Sequence, residues 1–162
     1  MTSQRFIPLT LIGAALSFAA FGCGGGSDSG SSSGSGSDPT LHLIEHANTD
    51  TLQHVGPKNE KDSIGDVLGF ANPLFNSTNK KRVGSDNGMC IRTAVGKAFE
   101  CVWTAKLSGG QLTVEGPFYD AKDSVLAITG GTGTYKQAKG SMTLHARNAK
   151  GTAYDFTYRI IK

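Results

Sequence analysis

From about residue 40 to the C-terminus, apolar and polar side chains alternate with a period of two, and no stretch sustains the 3.6-residue period of a helix. Eight such runs can be read: Leu41–Ala47, Ile64–Phe75, Arg82–Thr93, Phe99–Leu107, Gln111–Tyr119, Ser124–Thr129, Ser141–Arg147 and Ala153–Ile161. Glycine, asparagine and aspartate punctuate them. The second bends at Asn72–Pro73, because proline cannot donate to a ladder, and the third is interrupted over Gly84–Gly88. Gln53–Asp62, with Pro57, reads as a polar loop. Consecutive strands joined by short turns predict an all-β fold, a closed eight-stranded antiparallel barrel whose closure removes sheet edges. A two-sheet sandwich fits the same spacing.

The densest punctuation is VLAITGGTGTYKQAKG, Val125–Gly140. It reads as a tight strand-to-strand connection. A phosphate cradle is excluded, since there is no GxxxxGK[ST] and no helix opens after Gly133.

Parity assigns the faces. Phe99, Cys101, Trp103 and Ala105 share one side of the fourth run, and Tyr154, Phe156, Tyr158 and Ile160 one side of the last. These aromatic sides point inward. Leu68, Phe70 and Asn72 share a side of the second run, and Glu45 shares a side with Leu41 and Leu43. A carboxylate on an apolar inner face is the informative exception. An eight-stranded interior is filled by side chains or holds one small ligand, so the expected ligand-lining set is Leu43, Leu68, Phe70, Phe99, Trp103, Tyr154, Phe156 and Tyr158.

The N-terminal segment is of another kind. Arg5 is the one charge in residues 1–21, and the apolar run Phe6–Phe21 is shorter than the roughly 20 residues of a membrane span. It fits a secretory signal. Ala20-Phe21-Gly22-Cys23 resembles a bacterial lipobox, which makes residues 1–22 a lipoprotein signal and Cys23 a lipidation site; ordinary cleavage nearby is the alternative. Residues 24–38, GGGSDSGSSSGSGSD, form a disordered tether reaching roughly 20 Å. Together, 23–38 is the lipidated linker and 39–162 the barrel domain, held at the outer side of a cell-envelope membrane.

Residues 39–162 carry fifteen Lys/Arg and eleven Asp/Glu, and these are scattered. Lys80-Lys81-Arg82 has no interleaved aromatics, so nucleic acid is not an expected partner. No metal site or cofactor motif appears: His42 and His46 on a strand stand roughly 13 Å apart, and there is no CxxC, HExxH or nucleophile elbow. Cys90 and Cys101 remain for a disulfide, which an exported context permits. If the third and fourth runs turn at Val95–Gly96, residues 90 and 101 stand opposite each other.

GDVLGFANPLF (65–75), VGSDNGMCI (83–91), the long segment 110–145 and YDFTYRI (154–160) resemble plant allene oxide cyclase, in the same order and at similar spacing. The glycine-rich segment is also similar to that of dirigent proteins. The resemblance implies an eight-stranded barrel with a hydrophobic lumen, a homotrimer, and ring closure of an unstable fatty-acid epoxide. It gives Glu45 the role of stabilising positive charge as the epoxide opens, Asn72 a part in holding a water, and Cys90 a place in the lumen. Ala47 stands where the family has asparagine, and the family's Ser-Pro pair has no counterpart in Asn48–His54. Glu45 can equally be a structural acid paired with a neighbour such as Arg92, and Asn72 can simply satisfy the backbone at the bend. Three classes of function remain open: an isomerase or cyclase, a binder of an apolar molecule, and a dirigent-like guide.

Overall fold

A computed structural model describes residues 40–161; the expected signal, Cys23 and the tether lie outside the described residues. Ten strands follow in chain order: β1 (Thr40–His46), β2 (Thr51–Gln53), β3 (Val67–Phe70), β4 (Pro73–Asn76), β5 (Arg82–Ala94), β6 (Ala98–Leu107), β7 (Gly110–Tyr119), β8 (Ser124–Gly131), β9 (Lys139–Ala146) and β10 (Ala153–Ile161). Eight of them close a ring in the order β1-β4-β5-β6-β7-β8-β9-β10 and back to β1, every pair antiparallel. β3 continues the line of β4 along β5, and β2 adds to the outer edge of β3.

The run read as one strand over Ile64–Phe75 is therefore two, and its first residues belong to a loop. The break falls at Ala71–Asn72, just before Pro73. β5, by contrast, is continuous through Gly84–Gly88. Its glycines mark contact, not interruption. A Cβ on Gly88 would stand 2.3 Å from the Trp103 Cβ on β6, so the missing side chain is what lets the indole lie against β5. The hairpin β5–β6 turns through three residues, Val95–Lys97, with a bulge at Thr93. The extra turn residue and the bulged residue compensate, and Cys90 faces Cys101.

The alternation is realised inward and outward as the faces require. Phe99, Cys101, Trp103 and Ala105 are buried, as are Phe156, Tyr158 and Ile160. Leu112, Val114, Leu126, Ile128 and Met142 join them from β7, β8 and β9 in one core. The turns at 108–109 and 132–138 lie at one end of the barrel. After β8 the chain enters a single 3-10 turn, Gly133–Tyr135, that crosses to the β6–β7 turn. The Thr134 N–H and hydroxyl both donate to the Gly109 carbonyl, at 2.9 and 3.0 Å. Gly133 has φ +60° with the Gly109 carbonyl against it, a position open to glycine. Tyr135 packs onto the core from below and Ala138 is buried. The glycine-rich stretch is the strand-to-strand connection expected, and a 3-10 turn ties it to the β6–β7 turn. The turns at 95–97, 120–123 and 147–152 gather at the opposite end.

Candidate functional site

Glu45 reaches the lumen because β1 places it on the inner side with Leu41 and Leu43, opposite Tyr154 on β10 and Leu74 on β4. It is 5% exposed. Asn72 reaches it from the break between β3 and β4. The Asn72 backbone is held by Asp86 of β5, with N–H to carbonyl bonds of 3.0 and 2.9 Å in the two directions. The side chain is free for other work. Its amide donates to Glu45 Oε1 and to Asp50 Oδ1, both at 2.8 Å. Its oxygen accepts from the backbone N–H groups of Asn48 and Thr49 and from the Thr49 hydroxyl. Both amide hydrogens are used, so Asn72 organises the loop after β1 and orients Glu45.

Asp86 is the residue that the sequence reading passed over. It is 1% exposed, and neither carboxylate oxygen has a hydrogen-bond donor of good geometry. The one signal for it was parity: it lies four residues before Cys90, on the same inner face of β5. The polar run Ser85-Asp86-Asn87-Gly88 reads as an interruption of the strand and hides it.

Burial, then the Asp86 charge, pushes the Glu45 carboxyl up to about 9; the Asn72 amide works against this and Asp50 adds to it. Burial pushes Asp86 up to about 7, with the Asn72 backbone N–H and the Glu45 carboxyl drawing it back. Burial also raises Tyr154 to about 12, with Glu45, Asp50 and Asp120 adding to it. The Tyr158 hydroxyl is pushed up by complete burial and then by Asp86. Arg92, the cation on this inner face, does not pair with Glu45. Its guanidinium engages Asp62 at 2.7 Å and Asp120 at 2.8 Å, and lies 3.6 Å from the centre of the Phe99 ring.

A cavity of about 90 Å³ opens beside Glu45 and Asp50. Phe70, Trp103, Phe118, Tyr154 and Phe156 give it aromatic walls, with Leu68 and Leu144 between them. Cys90 and Cys101 complete the wall as a disulfide, so Cys90 offers no free thiol. Of the expected ligand-lining residues, Leu68, Phe70, Trp103, Tyr154 and Phe156 line this space. Leu43, Phe99 and Tyr158 do not; they are spent in packing, Phe99 against Phe118 and under Arg92. Phe118, Leu144 and Tyr154 are shared with an open groove of about 620 Å³ between the 120–123 and 147–152 turns. Among the described residues no group of three His, Cys, Asp or Glu side chains comes together to hold a metal.

The sequence profile described as allene oxide cyclase matches residues 44–156. Among solved structures the chain is similar to a pyocyanin demethylase, with 24% identity over 76% of this chain and 100% of that one, at a TM-score of 0.64. It is similar to the pterocarpan synthase dirigent protein PsPTS1, at 19% identity over 76% of this chain and 96% of that one, TM-score 0.63. The Diels-Alderase AbmU from Streptomyces koyangensis matches at 12% identity over 78% and 71%, TM-score 0.57. At these identities the structural likeness is one of fold.

Proposed function

The chain belongs to the allene oxide cyclase family, and from that premise we propose that its lumen binds a small, largely apolar molecule and promotes its cyclisation or isomerisation beside Glu45. The observation that carries this reading is a buried carboxyl in the wall of an aromatic cavity. In a water-poor site one polar group acts strongly on charge that develops next to it. Confinement adds to this by holding one folded conformer. A pterocarpan synthase and a Diels-Alderase on similar barrels are in keeping with ring-forming chemistry.

A second reading, a non-catalytic binder or a dirigent-like guide, is favoured by one observation. Asn72 has no amide hydrogen to spare and Cys90 is bridged, so Glu45 alone of the three residues implied by the resemblance is chemically available. Mass spectrometry of an organic extract of the purified protein separates the two. Cyclised species support the enzyme, an intact apolar ligand the binder. An empty extract, with no response of Trp103 fluorescence to an apolar panel, dismisses both.

We extend the proposal to location and assembly. The mature chain begins at a lipid-linked Cys23 on the cell envelope, and the Cys90–Cys101 bridge suits that oxidising compartment. Labelling with a palmitate analogue that persists in Cys23→Ser would overturn this. For the homotrimer, exposed Met89, Ile91 and Val102 on the outside of β5 and β6 supply an apolar surface; a monomer mass by light scattering would remove it.

A further inference from the structure

Among the described residues, two buried carboxyls stand together in this lumen with no cation to balance them. Glu45 faces the cavity and Asp86 lies behind it, on the strand whose backbone holds Asn72. The groups around Glu45 are Asp50 from the loop after β1, Asn72 from the β3–β4 break, Asp86 from β5, and Tyr154 and Tyr158 from β10. All are acids or neutral. Arg92 on the same inner face is committed to Asp62 and Asp120. Like charges in one dry site cannot both persist, and such pairs keep a proton between them. The hydrogen bonding requires the same thing. Both oxygens of Asp86 are buried without a donor of good geometry, and the Glu45 carboxyl is the side chain that interacts with them. A protonated Glu45 supplies the missing donor.

We propose that Asp86 is a positioning residue that keeps one proton on the Glu45–Asp86 pair, so that the cavity presents a neutral carboxylic acid and selects ligands with an oxygen acceptor, a carbonyl or an epoxide, over cations. This deepens the proposed function and rests on it for the identity of the site. The Glu45 proton swings from Asp86 to the ligand oxygen as a hydrogen bond, with no bond made or broken. A carboxylate at Glu45 would instead favour ammonium ligands.

Infrared spectroscopy of the intact protein tests this without any ligand. Wild type retains a protonated-carboxyl C=O band at pH 7.5 that disappears as the pH rises through about 9. In Glu45→Gln the band that is lost through about pH 9 is gone, and what remains belongs to Asp86. In Asp86→Asn, shown to be folded by near-ultraviolet circular dichroism, it titrates at lower pH, because burial remains but the Asp86 charge is gone. A wild-type band lost in the ordinary carboxylate range overturns the proposal, and so does a band unmoved in folded Asp86→Asn. Calorimetry with 1-indanone and 1-aminoindane then reads selectivity. The ketone binds at least tenfold more tightly at pH 7.5; equal or preferred binding of the ammonium overturns the selectivity. If neither binds while the band behaves as described, the lumen-binding reading fails and the shared proton stands.

Discussion

Two carboxylates in this molecule are equally hidden and behave in opposite ways. Asp66, in the loop before β3, is 0% exposed, and Asp86, in the lumen, is 1% exposed. Burial alone raises both. Asp66 nevertheless ends at about 2, because the backbone N–H of Val55, the His54 imidazole and the backbone N–H of Ser63 donate to it and outweigh burial. Those bonds span 2.9 to 3.0 Å. The other ring nitrogen of His54 faces the Pro57 carbonyl at 3.1 Å, and the His54 pKa is raised above its ordinary value, first by the hydrogen bond to Asp66. Asp86 has a second acid where Asp66 has a histidine. The comparison teaches that burial does not set the charge of a carboxyl; the supply of donors does. The first arrangement is a clasp that fixes a loop. The second stores a proton beside a cavity.

The largest expected effect comes from removing the clasp. Asp66→Ala leaves the donors of Val55, Ser63 and His54 without their acceptor, whereas Asp86→Ala takes an acceptor from the Glu45 carboxyl alone. Urea titration at pH 7 should show a large fall in midpoint for Asp66→Ala and a small one for Asp86→Ala. Equal losses would break the comparison.

Asn72→Ala comes next. It removes the side chain that joins Glu45 to the loop at 48–50 and takes the side-chain acceptor from the Thr49 N–H, while the Asn48 N–H keeps only the His46 carbonyl. A loss of about 1–3 kcal/mol is expected. The same titration reads it, and no change would mean that solvent replaces those bonds freely.

The smallest effect per step is a tilt with pH. The folded chain holds protons on Glu45 to about 9 and on Asp86 to about 7, while the unfolded chain releases them near 4.5 and 3.8. The folded state thus binds more protons over that window, and stability falls as pH rises through it. Asp66 acts the other way, because its folded value is depressed. Its contribution is present above 3.8 and is lost as pH falls toward 2. Glu45→Gln should flatten the high-pH decline by at most about 1.4 kcal/mol per pH unit. Thermal melts from pH 5 to 9 check this, and parallel curves for the two proteins would count against the raised Glu45.

Alternation carried most of the fold. It placed Trp103 and Phe156 inside and set Cys90 against Cys101, because strand parity is a local property that each residue inherits from its neighbours. The hairpin turn itself was misjudged by one residue, and the bulge at Thr93 absorbed the error. The site was less legible. Glu45 stood out as an acid among leucines, yet its partner Asp86 sits 41 positions away in a run that reads as an interruption of the third strand. Arg92 finds Asp62 and Asp120 through loops whose paths follow no period. Leu43, Phe99 and Tyr158 share the correct face with the cavity residues but sit at heights the packing fills. Parity tells which way a side chain points, not how much room remains in front of it.

Trp103 is the one tryptophan of the chain and forms a wall of the cavity, so its fluorescence reports directly on whether the lumen binds a small oxygen-bearing molecule. The full chain titrated with 1-indanone at pH 7 should give a saturable shift. Leu144→Phe, which adds bulk where the cavity meets the groove and leaves Glu45 untouched, should abolish it. No shift in wild type, or the same shift in the filled variant, would contradict the account.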